Sequence, residues 1–181
     1  MKLVLLDRDG VINEDRPDLV KSADELNIFP QAFEALALLK KQGFTCVIIT
    51  NQSVVGRGII STDALLHIHE YLCQKIVEHG GHIEEIFFCP DHPDHATYRR
   101  KPNPGMLIEA LEKYGADAAS TAFVGDTVTD MQAAHQVGCP RYLTMTGHGR
   151  KSLASLPADL HPVLSCTDIL DAAHKIVDRW Q

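Results

Sequence analysis

No stretch of this sequence stays apolar for long enough to cross a bilayer, which excludes a membrane-spanning helix. It has no internal repeat and no low-complexity linker, so nothing divides it, and residues 1–181 are expected to form a single domain. A signal-peptide layout is missing too, because the chain enters an apolar run almost at once. The five cysteines, Cys46, Cys73, Cys89, Cys139 and Cys166, are scattered and form no paired framework. Free thiols in a reducing compartment are the simplest account, and the expected location is cytoplasmic. Positive charge is in deficit: 17 Lys and Arg against 24 Asp and Glu give a net charge of -7. That balance argues against nucleic-acid or anionic-membrane partners, and the expected form is a monomer. What remains, 45% hydrophobic and 23% charged residues, is the composition of an ordinary globular protein.

Apolar runs at Leu3 to Leu6, Thr45 to Ile49, Ile83 to Phe88, Thr121 to Val124 and Arg141 to Met145 read as buried strands. A short extended piece lies near Val163-Leu164. Helical spacing separates the runs. Pro30 opens a helix with Ala32, Ala35, Leu36 and Leu39 on its apolar face. Ser61 or Thr62 caps a longer one carrying Leu65, Ile68, Leu72 and Ile76. Further helices are predicted from about Gly105 to Tyr114, through Asp130, Met131, Ala134 and Val137, and from Ile169 to Trp180. Alternation of this kind predicts an α/β fold: a doubly wound, mainly parallel sheet with helices on both faces. Two irregular segments interrupt it. One is a polar flap at about residues 13–29, too long for a tight turn; the other is a loop insertion at about 89–104 with four prolines.

Four strand ends carry polar groups. They are Asp7 and Asp9; Thr50, Asn51, Gln52 and Ser53; the Arg100-Lys101 region; and Asp126 with Asp130. Each alone is an ordinary turn, cap or solvated pair. On a parallel sheet, however, all four fall at one edge, so they converge. Two close carboxylates repel and need a cation or a shared proton. Together the groups suit phosphoryl transfer to a carboxylate. Asp7 would attack, and Asp9 would protonate the leaving alkoxide and then activate water. Thr50 and Lys101 would bind the equatorial oxygens, and Mg2+ would neutralise the phosphate.

Asp7-Arg8-Asp9-Gly10 after a strand, Thr50-Asn51-Gln52-Ser53 after the next, Arg100-Lys101-Pro102 before a helix, and Gly125-Asp126 with Asp130 resemble the four motifs of the haloacid-dehalogenase-like phosphatases. The likeness runs from Leu3 to about Gly149. Its finer motifs are similar to those of the branch that takes heptose bisphosphate or histidinol phosphate. The resemblance implies Asp7 as nucleophile, Asp9 as general acid/base, and magnesium held by Asp7, the Asp9 main-chain carbonyl and Asp126. It implies that Thr50 and Lys101 steady the phosphoryl group. Arg100, Asn51, Gln52, Ser53 and the flap around Asp15 and Asp18 would meet a small phosphorylated sugar, in a site without a large cap domain. The substrate implied first is a heptose 1,7-bisphosphate, losing its 7-phosphate; histidinol phosphate is the alternative.

The sequence also departs from that pattern. Relatives with a structural zinc carry histidine and two later cysteines where this chain has Asp91, Thr97 and Arg99. Cys89, His92 and His95 could supply three ligands but no fourth can be read, so a zinc-free loop is expected. Thr127 stands where several relatives have lysine, and Arg16-Pro17-Asp18 replaces glycine and aromatic residues in the flap. His67 and His69, two apart on a helix, should point apart as ordinary surface or boundary residues. His148 is the histidine best placed to reach the sheet edge. A reading from another class, a receiver module phosphorylated on aspartate, would want its acceptor after the third strand, where this chain has Cys89-Pro90.

Overall fold

The structure, a computed structural model, describes residues 1–180. Among them one six-stranded sheet runs through the molecule, built from β1 (Lys2–Leu6), β2 (Phe44–Asn51), β3 (Glu85–Cys89), β4 (Ala122–Gly125), β5 (Arg141–Thr144) and β6 (Leu164–Cys166). Every pairing is parallel and the order is β3-β2-β1-β4-β5-β6. The doubly wound α/β fold expected from the alternation is the fold observed. From β1 the chain builds outward to β3, then returns to β1's other side with β4. That reversal opens a crevice at the carboxyl ends of β1 and β4, where such sheets bind ligands.

Strand alternation in β1 assigns the two faces. Val4 and Leu6 enter one core with α1 (Pro30–Lys41), α3 (Thr62–Glu78) and α7 (Ile169–Trp180). Leu3 and Leu5 enter the other with α4 (Gly105–Tyr114) and α5 (Val128–Val137). Buried on both faces, a central strand has no room for a polar residue until it ends, so its first carboxylate is Asp7. The helices bury the stripes read from their spacing: Ala32, Ala35, Leu36 and Leu39 in α1, and Leu65, Ile68, Leu72 and Ile76 in α3. The side chain of Ser61 caps α3, accepting from the Ala64 N–H at 3.1 Å.

Three boundaries differ from the sequence reading. β2 continues through Thr50 and Asn51, because β3 pairs with both. β3 starts later, at Glu85. The glycine- and charge-rich stretch from Gly147 to Lys151 reads as a loop from sequence, but the chain there turns into α6 (Gly149–Ala154). Its first turn is closed by the Gly149 N–H on the Thr146 carbonyl and the Ser152 N–H on the His148 carbonyl, both 2.9 Å. The glycines and charges there mask a helix of under two turns. A four-residue helix, α2 (Ser53–Gly56), follows β2.

The flap is tied at its base. The Glu14 N–H donates to the Asn27 carbonyl and the Phe29 N–H to the Ile12 carbonyl, each at 2.9 Å. It folds back over the carboxyl end of β1 and delivers Leu19 and Val20 to the crevice.

Because α7 packs Ile176 fully into the core behind the sheet, Ile176→Ala should cost about 2–5 kcal/mol of stability. Urea denaturation reads the loss, and the variant, while folded, should turn over substrate at the unaltered rate.

Candidate active site

At the crevice a cavity of about 230 Å³ is lined by residues from all four predicted strand ends, the flap and the segment after β5. Its floor is Asp7, whose N–H still continues the ladder onto the Val124 carbonyl at 2.9 Å. The Asp7 Oδ1 atom accepts the Arg8 N–H at 2.8 Å and lies 3.0 Å from Lys101 Nζ. Lys101 is buried, and its ammonium has three acceptors: Asp7, Asp130 Oδ1 at 2.6 Å and the Ile49 carbonyl at 2.8 Å. Burial alone would discharge it, but the two carboxylates outweigh that and hold its pKa above the usual lysine value.

Asp130 does structural work at the same time. Its Oδ2 accepts the N–H groups of Asp126 and Thr127, each at 3.1 Å, while Thr127 Oγ1 accepts the Asp130 N–H. This reciprocal cap starts α5 and fixes the turn that presents Asp126. Asp126 is wholly buried; its Oδ2 accepts the His148 N–H at 2.8 Å. Its Oδ1 is equally buried and has no hydrogen-bond partner among the described residues. Gly10 (φ +83°) and Gly147 (φ +54°) let two loops close on that carboxylate, since a Cβ at either position would collide with Asp126 Oδ2.

Asp7, Asp126 and Asp130 form the one group of three candidate metal-ligating side chains among the described residues, their oxygens within 4.8 Å of one another. Burial, then the mutual repulsion of the carboxylates, pushes Asp7 up to about 8 and Asp126 up to about 9. Both shifts describe a site short of positive charge. The bare Asp126 oxygen, hard and anionic, suits Mg2+. Asp130 does not offer a free oxygen, because Lys101 and two backbone amides already occupy it.

Asp9 is set apart from that group. Its Oδ1 accepts Arg8 Nη2 and Asn13 Nδ2, both at 2.9 Å, and its Oδ2 accepts Gln52 Nε2 at 2.7 Å. Burial pushes its pKa up, but the Arg8 guanidinium and these donors outweigh it and hold the carboxyl below its usual value. Two carboxylates one residue apart thus sit in opposite electrostatic surroundings.

The other expected residues fall at varied distances from the cavity. Gln52, Ser53, Asp15 and Arg100 line it, and Asp15 Oδ2 reaches His148 Nε2 at 2.6 Å across the rim. Asn51 lines it too, yet both ends of its amide are taken by the Lys101 backbone, at 3.0 and 3.1 Å, so it holds the lysine loop in place. Thr50 is buried one step behind the lining, with its hydroxyl oxygen accepting from Gln52 at 2.9 Å and its proton still free to donate. Asp18 requires a correction. It does not line the cavity; Arg16 grips it through two nitrogens at 3.0 Å, and Lys21 at 2.8 Å, on the outer side of the flap. Cations two and three residues away captured it, a local pairing that a motif does not encode.

Sequence reasoning missed Leu19, Val20 and Thr129 in the lining and left Asp130 and His148 without roles. His67 and His69 do point apart as expected, but His69, taken as a surface or boundary residue, is buried on α3 while His67 is 76% exposed. The signal was available, since His69 continues the Leu65, Leu72, Ile76 stripe at helical spacing. In the loop after β3, the Asp91 carboxylate accepts the Thr97 N–H at 2.7 Å and Arg100 donates to the Asp91 carbonyl at 3.0 Å. Asp91 therefore closes the loop by hydrogen bonds. β3 ends in the buried Cys89, so the acceptor aspartate of a receiver module has no counterpart.

The profile of the haloacid dehalogenase-like hydrolases matches residues 2–138. A D-glycero-beta-D-manno-heptose-1,7-bisphosphate 7-phosphatase of Bordetella bronchiseptica is 44% identical over 181 residues, 99% of each chain. The enzyme of the same name from Pseudomonas aeruginosa is 42% identical over 83% of this chain and 85% of its own. Among solved structures, the D,D-heptose 1,7-bisphosphate phosphatase of B. bronchiseptica, complexed with magnesium and phosphate, superposes with a TM-score of 0.94, covering 99% of both chains at 40% identity. The chain belongs to the haloacid dehalogenase-like hydrolase family, as one of its phosphatases.

Proposed function

We propose that the protein removes the 7-phosphate of D-glycero-D-manno-heptose 1,7-bisphosphate by way of a phosphoryl group carried on Asp7. The observation that carries the chemistry is Asp7 at the floor of the cavity, held by a buried lysine, with the bare Asp126 oxygen in the same carboxylate group. The names borne by relatives of near-equal length support the sugar.

Asp7 uses a carboxylate oxygen to form the new P–O bond as the bond from phosphorus to the sugar oxygen breaks. Lys101 keeps the Asp7 carboxylate aimed and, with the Thr50 hydroxyl, offsets charge on the equatorial oxygens. Asp9 gives its proton to the departing alkoxide, then takes one from the water that cleaves the acyl phosphate. Its donors hold it ionised in the free site; a phosphate dianion arriving beside it raises its proton affinity. Arg100, burial-weakened but cationic, and Asp15 stand at the rim where the sugar enters. Asp7, Asp126 and the Asp9 main-chain carbonyl would hold Mg2+. When bound it supplies the positive charge that lets a dianionic ester approach carboxylates. The loop after β3 is read as zinc-free, because Asp91 closes it by hydrogen bonds and burial pushes the Cys89 thiol up.

Asp7→Asn should lower turnover by about 10³-fold or more while far-UV circular dichroism stays unchanged; residual activity near that of the unaltered enzyme removes Asp7 as nucleophile. A second test uses stability. Asp7 and Asp126 keep protons in the folded state that the unfolded chain releases near the ordinary aspartate value of 3.8. Folding therefore binds protons between about pH 4 and the raised values, and stability falls as pH rises through that window. In chelator, the melting midpoint should drop from pH 5 to pH 8, and millimolar magnesium should level it; a flat profile in chelator contradicts the crowding of the carboxylates. Side-by-side assay of the heptose bisphosphate anomers, histidinol phosphate and fructose bisphosphate tests the substrate, and a preference for histidinol phosphate would reject the heptose.

A further inference from the structure

Arg8 is the largest fully buried side chain of the described residues, and the reaction as laid out above gives it no task. It stands in sequence between the two carboxylates that do have tasks, it is among the residues lining the cavity, and its guanidinium reaches both Asp9 and His69 on α3. Among the described residues its side chain has two polar contacts. Nη2 donates to Asp9 Oδ1 at 2.9 Å, and Nη1 donates to His69 Nε2 at 3.2 Å. Nε is buried with no partner. A buried cation with so few contacts is poorly fixed unless each one is specific.

His69 makes its contact specific. A guanidinium N–H can only donate, so His69 Nε2 must accept and the ring must be the neutral Nδ1–H tautomer. Burial, with the Arg8 charge beside it, drives the His69 pKa down to about 3, consistent with a ring that stays neutral. Asp9 is the carboxylate facing this pair, and α3 brings no acid against the ring. Phe88 packs against it edge-to-face, with centroids 5.6 Å apart at 66°, which restricts its tilt. Asn13 shares the Asp9 Oδ1 atom with Arg8 and Gln52 holds Oδ2, so Arg8 is the cationic third of a three-donor clamp.

We propose that His69 is a positioning residue for the reaction: by accepting from one arm of the Arg8 guanidinium it holds the other arm on Asp9, and so aims the carboxyl that must meet the leaving oxygen. The inference rests on Asp9 acting as the acid/base and deepens that reading. Misplacement of a proton donor matters only when the leaving group needs the proton. A sugar alkoxide does; p-nitrophenolate departs without one.

The test compares kcat/KM for a hexose 6-phosphate and for p-nitrophenyl phosphate, in magnesium, for the unaltered chain, His69→Phe and His69→Gln. kcat/KM covers steps up to the first phosphoryl transfer, where Asp9 acts as acid. His69→Phe fills the space beside Phe88 without an acceptor; it should lose on the order of 10- to 100-fold on the hexose ester and less than about threefold on the aryl ester. His69→Gln restores an acceptor and should recover most of the hexose-ester rate. Equal losses on both esters, no loss on either, a Gln variant no better than Phe, or a Phe variant that fails to fold would each make His69 a packing residue and overturn the proposal. The phosphatase reading itself is tested separately by the unaltered protein's rates on the two esters, before any variant is compared.

Discussion

The Lys101 ammonium, closed in between Asp7 and Asp130, is the interaction on which the site depends. It belongs to the loop before α4, Asp7 follows β1 and Asp130 lies in the first turn of α5, so one buried ammonium paired with two carboxylates fastens three distant segments. Removing one partner of such a cluster strands a charge in low dielectric, which is far costlier than never burying it. The geometry is correspondingly over-determined. Asn51 clamps the Lys101 backbone from both ends of its amide, and Asp130 caps the helix whose preceding turn carries Asp126.

Topology explains why these segments meet. β1 lies at the centre of the sheet with β2 and β4 on either side, so polar residues placed just past the ends of those strands share one edge. The return from β3 to β4 leaves the crevice open, and among the described residues nothing larger than the flap covers it. Gly10 and Gly147 then allow the loops after β1 and β5 to approach Asp126 more closely than any side chain would permit. The hydrophobic pattern builds the sheet, and two missing Cβ atoms let the acidic centre close.

That division also accounts for what could be read in advance. Asp7, Asp9, Lys101 and Asp126 sit at strand ends or beside a helix start, and strand ends are visible as the point where an apolar run stops. Parallel topology then brought them together without any knowledge of contacts. Asp18 could not be read, because its fate was decided by Arg16 and Lys21, two flexible side chains that are as near to it in space as in sequence. Asn51 and Thr50 looked like ligands. The structure spends the Asn51 amide on the Lys101 backbone and sets Thr50 one step behind the lining, with its hydroxyl proton left to donate. His69 was hidden differently, by lying on a helix whose apolar stripe seemed complete without it.

Charge balance gives the sharpest constraint on what the cavity can accept. Asp7, Asp9, Asp126 and Asp130 face two buried cations, Arg8 and Lys101, within one closed network. Fully ionised, the network is left with two unbalanced negative charges, which is why Asp7 and Asp126 hold on to protons in the absence of a cation. The bare Asp126 oxygen could hold a divalent ion, whose charge would balance that excess and let both carboxylates ionise. In the proposed mechanism that ionisation would free Asp7 to act as the nucleophile near neutral pH, and a phosphate dianion would meet no net repulsion. On a chain whose overall charge is -7, no long-range field helps the anionic substrate in. The attraction has to be local, and it is strongest when the cation is already in place.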